Sequence, residues 1–315
     1  MNILMTGATG FVGRRLAESL RQNHSFDLTS AVRQPEATVR GRAIAIGEID
    51  GSTDWSVALN DQQLVIHTAA RAHIMKDEVA DPLAEYRKVN VEGTLNLARQ
   101  AARAGIKRFI FISSIKVNGE QTRPGESFSA DDILAPADTY GISKMEAEQG
   151  LQQLAQETDM EVVIIRPPLV YGPSVKGNFA AMIRMIQRGW PLPLGSIQNK
   201  RSLVALDNLA DLIVTCIDHP AAANQVFLAG DGDDLSTTEL LRGVANAMGK
   251  PLRLVPVPAG LLRFGAMLLG RQAMAERLLG SLQVDISKTH DLLGWEPPLT
   301  VAAGLKRCFI VEQNL

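Results

Sequence analysis

TGATGFVG, residues 6–13, follows an apolar stretch, NILMT (2–6), and precedes RRLAESLRQN (14–23), whose apolar residues recur at helical spacing. A strand, a glycine loop and a helix in that order form a turn suited to a pyrophosphate. Gly7 allows the tight turn, Gly10 lets the backbone approach the phosphates, and Gly13 lets helix pack on strand. Thr9, Phe11 and Val12 complete the loop as further contacts, and the N–H groups at the helix start face the anion. The spacing is GxxGxxG rather than GxGxxG. A plain glycine turn is the alternative reading, and the flanking strand and helix argue against it.

Outward from this loop, strands and helices alternate. FDLTSAVR (26–33), AIAIGEID (43–50), LVIHTAA (64–70) and KRFIFISSI (107–115) read as strands, and MEVVIIRPPLVYGP (160–173) as a further strand followed by a proline-rich exit. PLAEYRKVNVEGTLNLARQAARAG (82–105) reads as one long helix stopped by Gly105, and a second helix runs from Tyr140 to about Thr158. The pattern predicts an α/β fold, a Rossmann-type doubly wound parallel sheet. Residues 1–166 are expected to bind a dinucleotide, with a segment near 203–231 crossing back to extend the sheet. Residues 167–315 are expected to form a smaller, mixed C-terminal substrate region. Ser236 with Glu239 three residues on predicts a capped helix over 236–250.

Strand ends at the carboxyl edge of such a sheet carry the ligand contacts. After the second strand an acid would accept from an adenosine 2′-hydroxyl and select NAD, but Val32-Arg33 stands there. Arginine suits a 2′-phosphate, so NADP(H) is the expected cofactor and NAD(H) the alternative, unless Arg33 is merely solvated. Glu48 and Ile49 are placed to frame the adenine, and Thr68, Ala69 and Ala70 are small where backbone passes close to a cofactor. His67, within an apolar strand, reads as a hydrogen-bonded core histidine. Asn90, mid-helix, must find partners and reads as a holder of active-site backbone or water. Ser113 and Ser114 bring hydroxyls to the sheet edge.

YGISK (140–144) places Tyr140 and Lys144 one helical turn apart. A free tyrosine ionises near pH ~10, and an ammonium beside it favours the phenolate. The pair suits proton exchange with an alcohol or ketone oxygen while hydride moves on carbon. Two surface residues on a helix are the bland alternative.

The rest of the composition excludes several classes. A net charge of −2 gives the whole chain no general pull toward nucleic acid or anionic lipid. Cys216 and Cys308 make neither a disulfide framework nor a metal-ligand spacing, so no metal is expected and a reducing, cytoplasmic setting fits. The first residues enter a strand and a glycine loop at once, without the pattern of a signal peptide. The longest apolar run, around Gly260 to Gly270, is interrupted by Arg263 and too short to span a bilayer, so no membrane partner is expected.

TGATGFVG, VIHTAA, VNVEGT, FISSIKVNG, YGISK and RPPLVYGP, in this order, resemble the extended short-chain dehydrogenase/reductase family, specifically its NAD-dependent epimerase/dehydratase group acting on nucleotide sugars. The likeness covers nearly the whole chain. It implies a catalytic set of Ser114, Tyr140 and Lys144, with Asn90 near the active site and Pro167 and Leu169 near the nicotinamide. It further implies Asn178 and Arg201 on the nucleotide diphosphate of a UDP-sugar, and a homodimer built from helices 82–104 and 139–157. Ala84, Val91, Leu95, Ala98, Ala102, Ala147, Leu151 and Leu154 offer those helices more than one apolar face. Departures narrow the chemistry. Ile115 and Lys116 replace the Asp-Glu pair of the family's dehydratases, and no cysteine stands where the 3,5-epimerising relatives use one. Redox chemistry at C4 of a UDP-hexose remains. Similar bacterial surface-polysaccharide proteins act as UDP-glucose 4-epimerases or reduce a UDP-4-keto-6-deoxy-N-acetylhexosamine. Arg33 favours the NADPH-dependent 4-ketoreductase over the NAD-dependent 4-epimerase. A non-catalytic NADP-binding protein is the third reading. Lys116 is expected either to read the substrate or to pair with a loop carboxylate such as Glu120 or Glu126.

Overall fold

Ile3, Leu4, Met5 and Thr6 are all buried, as a central strand covered on both faces requires. The computed structural model describes residues 1–34, 39, 41–72 and 81–310. Among them the strands are β1 (Asn2–Thr6), β2 (Asp27–Val32), β3 (Arg42–Ala45), β4 (Leu64–His67), β5 (Arg108–Ile112), β6 (Glu161–Arg166), β7 (Leu169–Tyr171), β8 (Leu203–Ala205) and β9 (Val226–Leu228). Seven form one sheet in the order β3-β2-β1-β4-β5-β6-β9. Every pairing in it is parallel, with Ile3 opposite Leu28 on one side and Leu64 on the other. This is the Rossmann-type fold, and the order reverses beside β1, where open α/β sheets leave a crevice at the strands' carboxyl ends.

The helices are α1 (Phe11–Gln22), α2 (Ser56–Leu59), α3 (Pro82–Arg87), α4 (Thr94–Arg103), α5 (Thr139–Glu157), α6 (Gly177–Gln187), α7 (Leu206–Asp218), α8 (Thr237–Ala247), α9 (Ala259–Leu268), α10 (Gln272–Leu279), α11 (Ser287–Leu293) and α12 (Val301–Arg307). Leu16 and Leu20 of α1 and Leu209 and Ile213 of α7 pack with Ile3 and Met5 on one sheet face. Leu97 and Ala98 of α4 and Ala147 and Leu151 of α5 pack with Leu4, Val65 and Phe109 on the other. A third cluster joins α6, α8, α12 and β8 around Tyr171 and Phe179.

Three local differences from the sequence expectations have physical causes. The helix expected unbroken over 82–104 passes through a π-helical turn, Lys88–Gly93, between α3 and α4. A Cβ on Gly93 would lie 2.7 Å from Ile49 Cγ2, so the widened turn sits hard against the end of the third strand segment. That segment leaves the sheet at Ala45 rather than continuing to Asp50. The strand begun near 160 ends, as expected, at Pro167 and Pro168, which lack the N–H a ladder needs, but the exit that follows is not irregular: β7 pairs with β8 in a separate two-stranded sheet. The capping box of Ser236 and Glu239 is present at α8. Of the apolar residues on the two long helices, Ala98, Ala147 and Leu151 are core, and Leu95, Ala102 and Leu154 pack partly buried on the same cluster.

Candidate active site

The glycine loop leaves the carboxyl end of β1 and turns at Gly7, whose φ of +73° favours a residue without Cβ. A Cβ there would also lie 2.5 Å from Thr68 Oγ1 and 2.7 Å from Ala69 N, and one on Gly13 would lie 2.0 Å from the Gly7 carbonyl. The loop and the end of β4 thus form a cradle that side chains would fill. Gly10 is the cap residue of α1, whose first turn carries no acidic residue and no side-chain cap, so its N–H groups remain for an anion. Thr9, Phe11 and Val12 lie in that loop and first turn, and Thr9 is held by Arg14 Nε donating to its carbonyl at 2.9 Å. Thr68 Oγ1 donates to the Thr6 carbonyl at 2.7 Å and Thr6 Oγ1 accepts from Ala69 N at 3.2 Å, which lock β1 to β4 beside Ala70. These residues fit a dinucleotide.

Just beyond the carboxyl end of β2, Arg33 faces Glu48, Nη1 to Oε1 at 3.8 Å, both well exposed. Ile49 turns its side chain into the core against Gly93. His67 is a core histidine, as expected: Thr6 and Thr94 hydroxyls hold its two nitrogens at 2.7 and 2.9 Å. Burial, then the charge of Lys144, pushes it down to about 3.

Asp138 caps α5, its carboxylate accepting from Gly141 N at 2.7 Å, which fixes where Tyr140 enters the site. Tyr140 sits edge-on to Tyr86, ring centroids 6.0 Å apart. Lys144 is buried; its Nζ donates to the Ile112 carbonyl at 2.8 Å and lies 4.1 Å from the Phe111 ring centroid. Burial pushes Lys144 down to about 7 against the pull of Glu148. Tyr140 is held above its ordinary value by burial, then by Asp138 and Tyr86. In the protein alone the net effect on Tyr140 is upward, with burial the largest cause, while the Lys144 ammonium donates to a carbonyl and lies over an aromatic face.

Asn90, in the π turn, does hold backbone: its Oδ1 accepts from Arg71 N at 2.8 Å, and its Nδ2 donates to the Arg71 carbonyl at 3.1 Å and to Ser143 Oγ at 3.0 Å. Ser114, extended at the end of β5, accepts from Lys116 N at 3.3 Å and remains partly exposed. Ser113 is buried with no hydrogen-bond partner for its hydroxyl. Ile115 N donates to the Pro167 carbonyl at 3.0 Å, which sets Pro167 beside the Ser114 turn, and Leu169 is exposed at the start of β7. Asn178 is exposed in the first turn of α6. Arg201 Nη1 donates to the Arg277 and Gly280 carbonyls at 2.8 and 3.2 Å, which anchors its guanidinium to the end of α10.

Lys116 bonds the Asp138 carboxylate and lies 3.6 Å from Glu120, so of its two readings the carboxylate-paired one is the geometry seen, with Asp138 the nearer partner. The sequence reading missed Arg166 and Glu148. Both are buried; Arg166 Nη2 and Glu148 Oε2 are 2.6 Å apart, and Arg166 Nη1 reaches Asn118 Oδ1 and the Ala130 carbonyl at 3.1 and 3.0 Å. One guanidinium therefore ties α5 to β6 and to the loop after Ser114. Glu148, four residues beyond Lys144, and an arginine ending an apolar strand were the available signals.

The profile of the NAD dependent epimerase/dehydratase family matches residues 3–230. A Vibrio cholerae protein named UDP-glucose 4-epimerase is 53% identical over 307 residues, 97% of this chain and 94% of that protein. An Escherichia coli O157:H7 N-acetyl-alpha-D-glucosaminyl-diphospho-ditrans,octacis-undecaprenol 4-epimerase is 28% identical across 99% of this chain and 95% of its own. Among solved structures, a Bacillus cereus UDP-glucuronic acid 4-epimerase with UDP-glucuronic acid and NAD superposes at a TM-score of 0.78, with 23% identity, 98% of this chain and 97% of that one. At that identity the likeness speaks for the fold.

Proposed function

The chain belongs to the NAD dependent epimerase/dehydratase family, and we propose that it inverts C4 of a UDP-hexose as an NAD-dependent 4-epimerase. The observation that carries this is the 53% identity, across 97% of the chain, to the Vibrio cholerae UDP-glucose 4-epimerase. It is supported by the intact Ser114, Tyr140 and Lys144 around the carboxyl end of β5. The expectation of an NADPH-dependent 4-ketoreductase rested on Arg33. With Glu48 3.8 Å away, a 2′-phosphate on Arg33 would meet a carboxylate as well as a guanidinium, which weakens that preference.

Tyr140 takes the proton of the C4 hydroxyl, and Ser114 shares a hydrogen bond to the same oxygen and orients it. A bound nicotinamide dinucleotide would supply the hydride acceptor and donor for C4, so that the oxidation and the reduction of the sugar balance without net consumption of cofactor. Tyr140 then returns the proton. Lys144 holds the nicotinamide ribose, Gly7, Gly10 and Gly13 the pyrophosphate, and Pro167 and Leu169 border the nicotinamide. Asn178 and Arg201 hold the UDP diphosphate, whose remote binding energy positions the sugar.

The absorbance spectrum and a turnover assay test this directly. The purified protein should carry bound NAD and convert UDP-glucose to its C4 epimer without added cofactor. A cofactor-free protein that consumes NADPH stoichiometrically with a UDP-4-keto sugar, and epimerises nothing, would restore the reductase.

Lys116 enters the proposal as a positioning residue. It offsets the Asp138 charge that, with Tyr86, disfavours the Tyr140 phenolate, while Lys144 stands one turn beyond. In Lys116→Met the Asp138 charge acts on Tyr140 unopposed, so the proton-accepting limb of kcat against pH should move to higher pH with KM for the UDP-sugar nearly constant. A KM raised tenfold at unchanged pH profile would instead make Lys116 a direct substrate contact.

A further inference from the structure

No residue of α9 is buried, although the helix is apolar on both sides. Leu262 and Ala266 face inward onto the cluster that contains Ile186, Leu192 and Leu194. The opposite side presents Leu261, Phe264 and Leu268, 63%, 56% and 69% exposed, with Met267 beside them and Leu269 and Met274 in the turn into α10. A helix apolar all round belongs under cover. The face continues to the loop after α6. Leu192 N donates to the Arg253 carbonyl and Val255 N to the Leu192 carbonyl, both at 2.9 Å, which places exposed Trp190 beside the strand-like segment leading into α9. Exposed arginines border the face: Arg188, stacked on Trp190 at 5.4 Å, with Arg253, Arg263 and Arg271.

The charge around this face differs from that of the chain. Residues 162–206 and 240–275 contain eleven of the 32 lysines and arginines and none of the 34 acids. The net charge of −2 therefore conceals a local excess of cations around this face, where Arg188, Arg253, Arg263 and Arg271 are exposed and Glu276 of α10 is the acid next to it in sequence. We infer that the outer face of α9, with the turn into α10 and Trp190, is a docking surface for an anionic lipid bilayer, on which α9 lies in the plane of the headgroups. Apolar side chains flanked by arginines, with tryptophan at the margin, match the requirements of an interfacial helix. Ten residues of helix, about 15 Å long, lie on a bilayer rather than cross it. A second copy docking face to face would set one arginine-bordered surface against another and is disfavoured by like charge.

Vesicle co-sedimentation of the full chain tests the surface. Phosphatidylcholine vesicles with about a third phosphatidylglycerol should bind it, phosphatidylcholine alone should bind it far less, and added salt should release it. The double variant Phe264→Glu, Leu268→Glu should lose at least about tenfold in binding with an unchanged melting temperature, because both side chains already face out. Should that variant melt lower, Arg263→Gln with Arg271→Gln decides, and it should also bind about tenfold less. Wild-type protein that ignores anionic vesicles overturns the inference. So does a concentration-dependent oligomer that the Glu variant dissociates, since the face would then belong to a second copy.

Discussion

Replacing Tyr140 by phenylalanine is expected to reduce turnover at least about 100-fold, the ordinary contribution of a placed general acid–base, while cofactor affinity and melting temperature stay close to wild type. The variant isolates one atom. The ring remains edge-on to Tyr86, the α5 cap by Asp138 does not involve the hydroxyl, and Lys144 keeps its bond to the Ile112 carbonyl. What disappears is the group that exchanges a proton with the sugar oxygen. Because burial and Asp138 hold that hydroxyl above its usual range, the proton is not released by the protein alone. In wild type, activity should therefore rise with pH until the phenolate forms in the loaded enzyme, and the phenylalanine variant should lack that limb. A variant retaining more than a tenth of wild-type turnover would remove Tyr140 from the chemistry.

The second large effect is expected on stability. Arg166→Met should destabilise the protein by about 3–5 kcal/mol, the cost of leaving one member of a buried ion pair without its partner. The stranded groups are Glu148 on α5, Asn118 Oδ1 and the Ala130 carbonyl. Thermal melting should fall by on the order of 10 °C. Adding Glu148→Met removes the stranded carboxylate and should recover much of the loss, since paired apolar replacement of a buried ion pair is often close to neutral. If the single variant melts within a degree or two of wild type, the pair is not the tie between helix and sheet described above. Stability and function separate in the double variant: the fold recovers, but the loop after Ser114 keeps its broken bonds, so turnover should stay reduced.

Local patterns made much of this readable from residues alone. The glycine loop is legible because strand, turn and helix must follow one another within a few residues, and each glycine has a steric reason visible in the spacing. Tyr140 and Lys144 are legible because a helix fixes their separation. Asn90 was legible as a buried polar residue needing partners, though not which backbone it would hold. What escaped depends on pairs far apart in the chain. Lys116 meets Asp138 across 22 positions and Arg166 meets Glu148 across 18, and no periodicity marks either. Arg33 was read at its own strand end, whereas Glu48, from the neighbouring strand segment, changes what that arginine offers a phosphate. The end of β6 was legible in Pro167-Pro168, whereas the pairing of the short β7 with β8, more than thirty residues on, was not. The exposure of α9 was hidden because an apolar run looks the same whether it is covered or not.

The β6–β9 pairing has a consequence for synthesis. β6, with the sequence EVVIIR, borders β5 as soon as it forms, but its other edge is closed only by Val226–Leu228. The intervening stretch of roughly 60 residues takes about 3–12 s to translate at ~5–20 residues per second. During that interval a nascent chain carries a flat, apolar, parallel strand edge with nothing beside it. Such an edge is a template for another chain on the same polysome. The ion pairs of Glu161 with Arg108 and of Arg166 with Glu148, all already made by then, put charge at the two ends of that strand, and α7 is made before β9 seals the edge. Slowed elongation while β6 has emerged from the ribosome and β9 has not should therefore increase aggregation of this protein, whereas the same slowing once β9 has emerged should not.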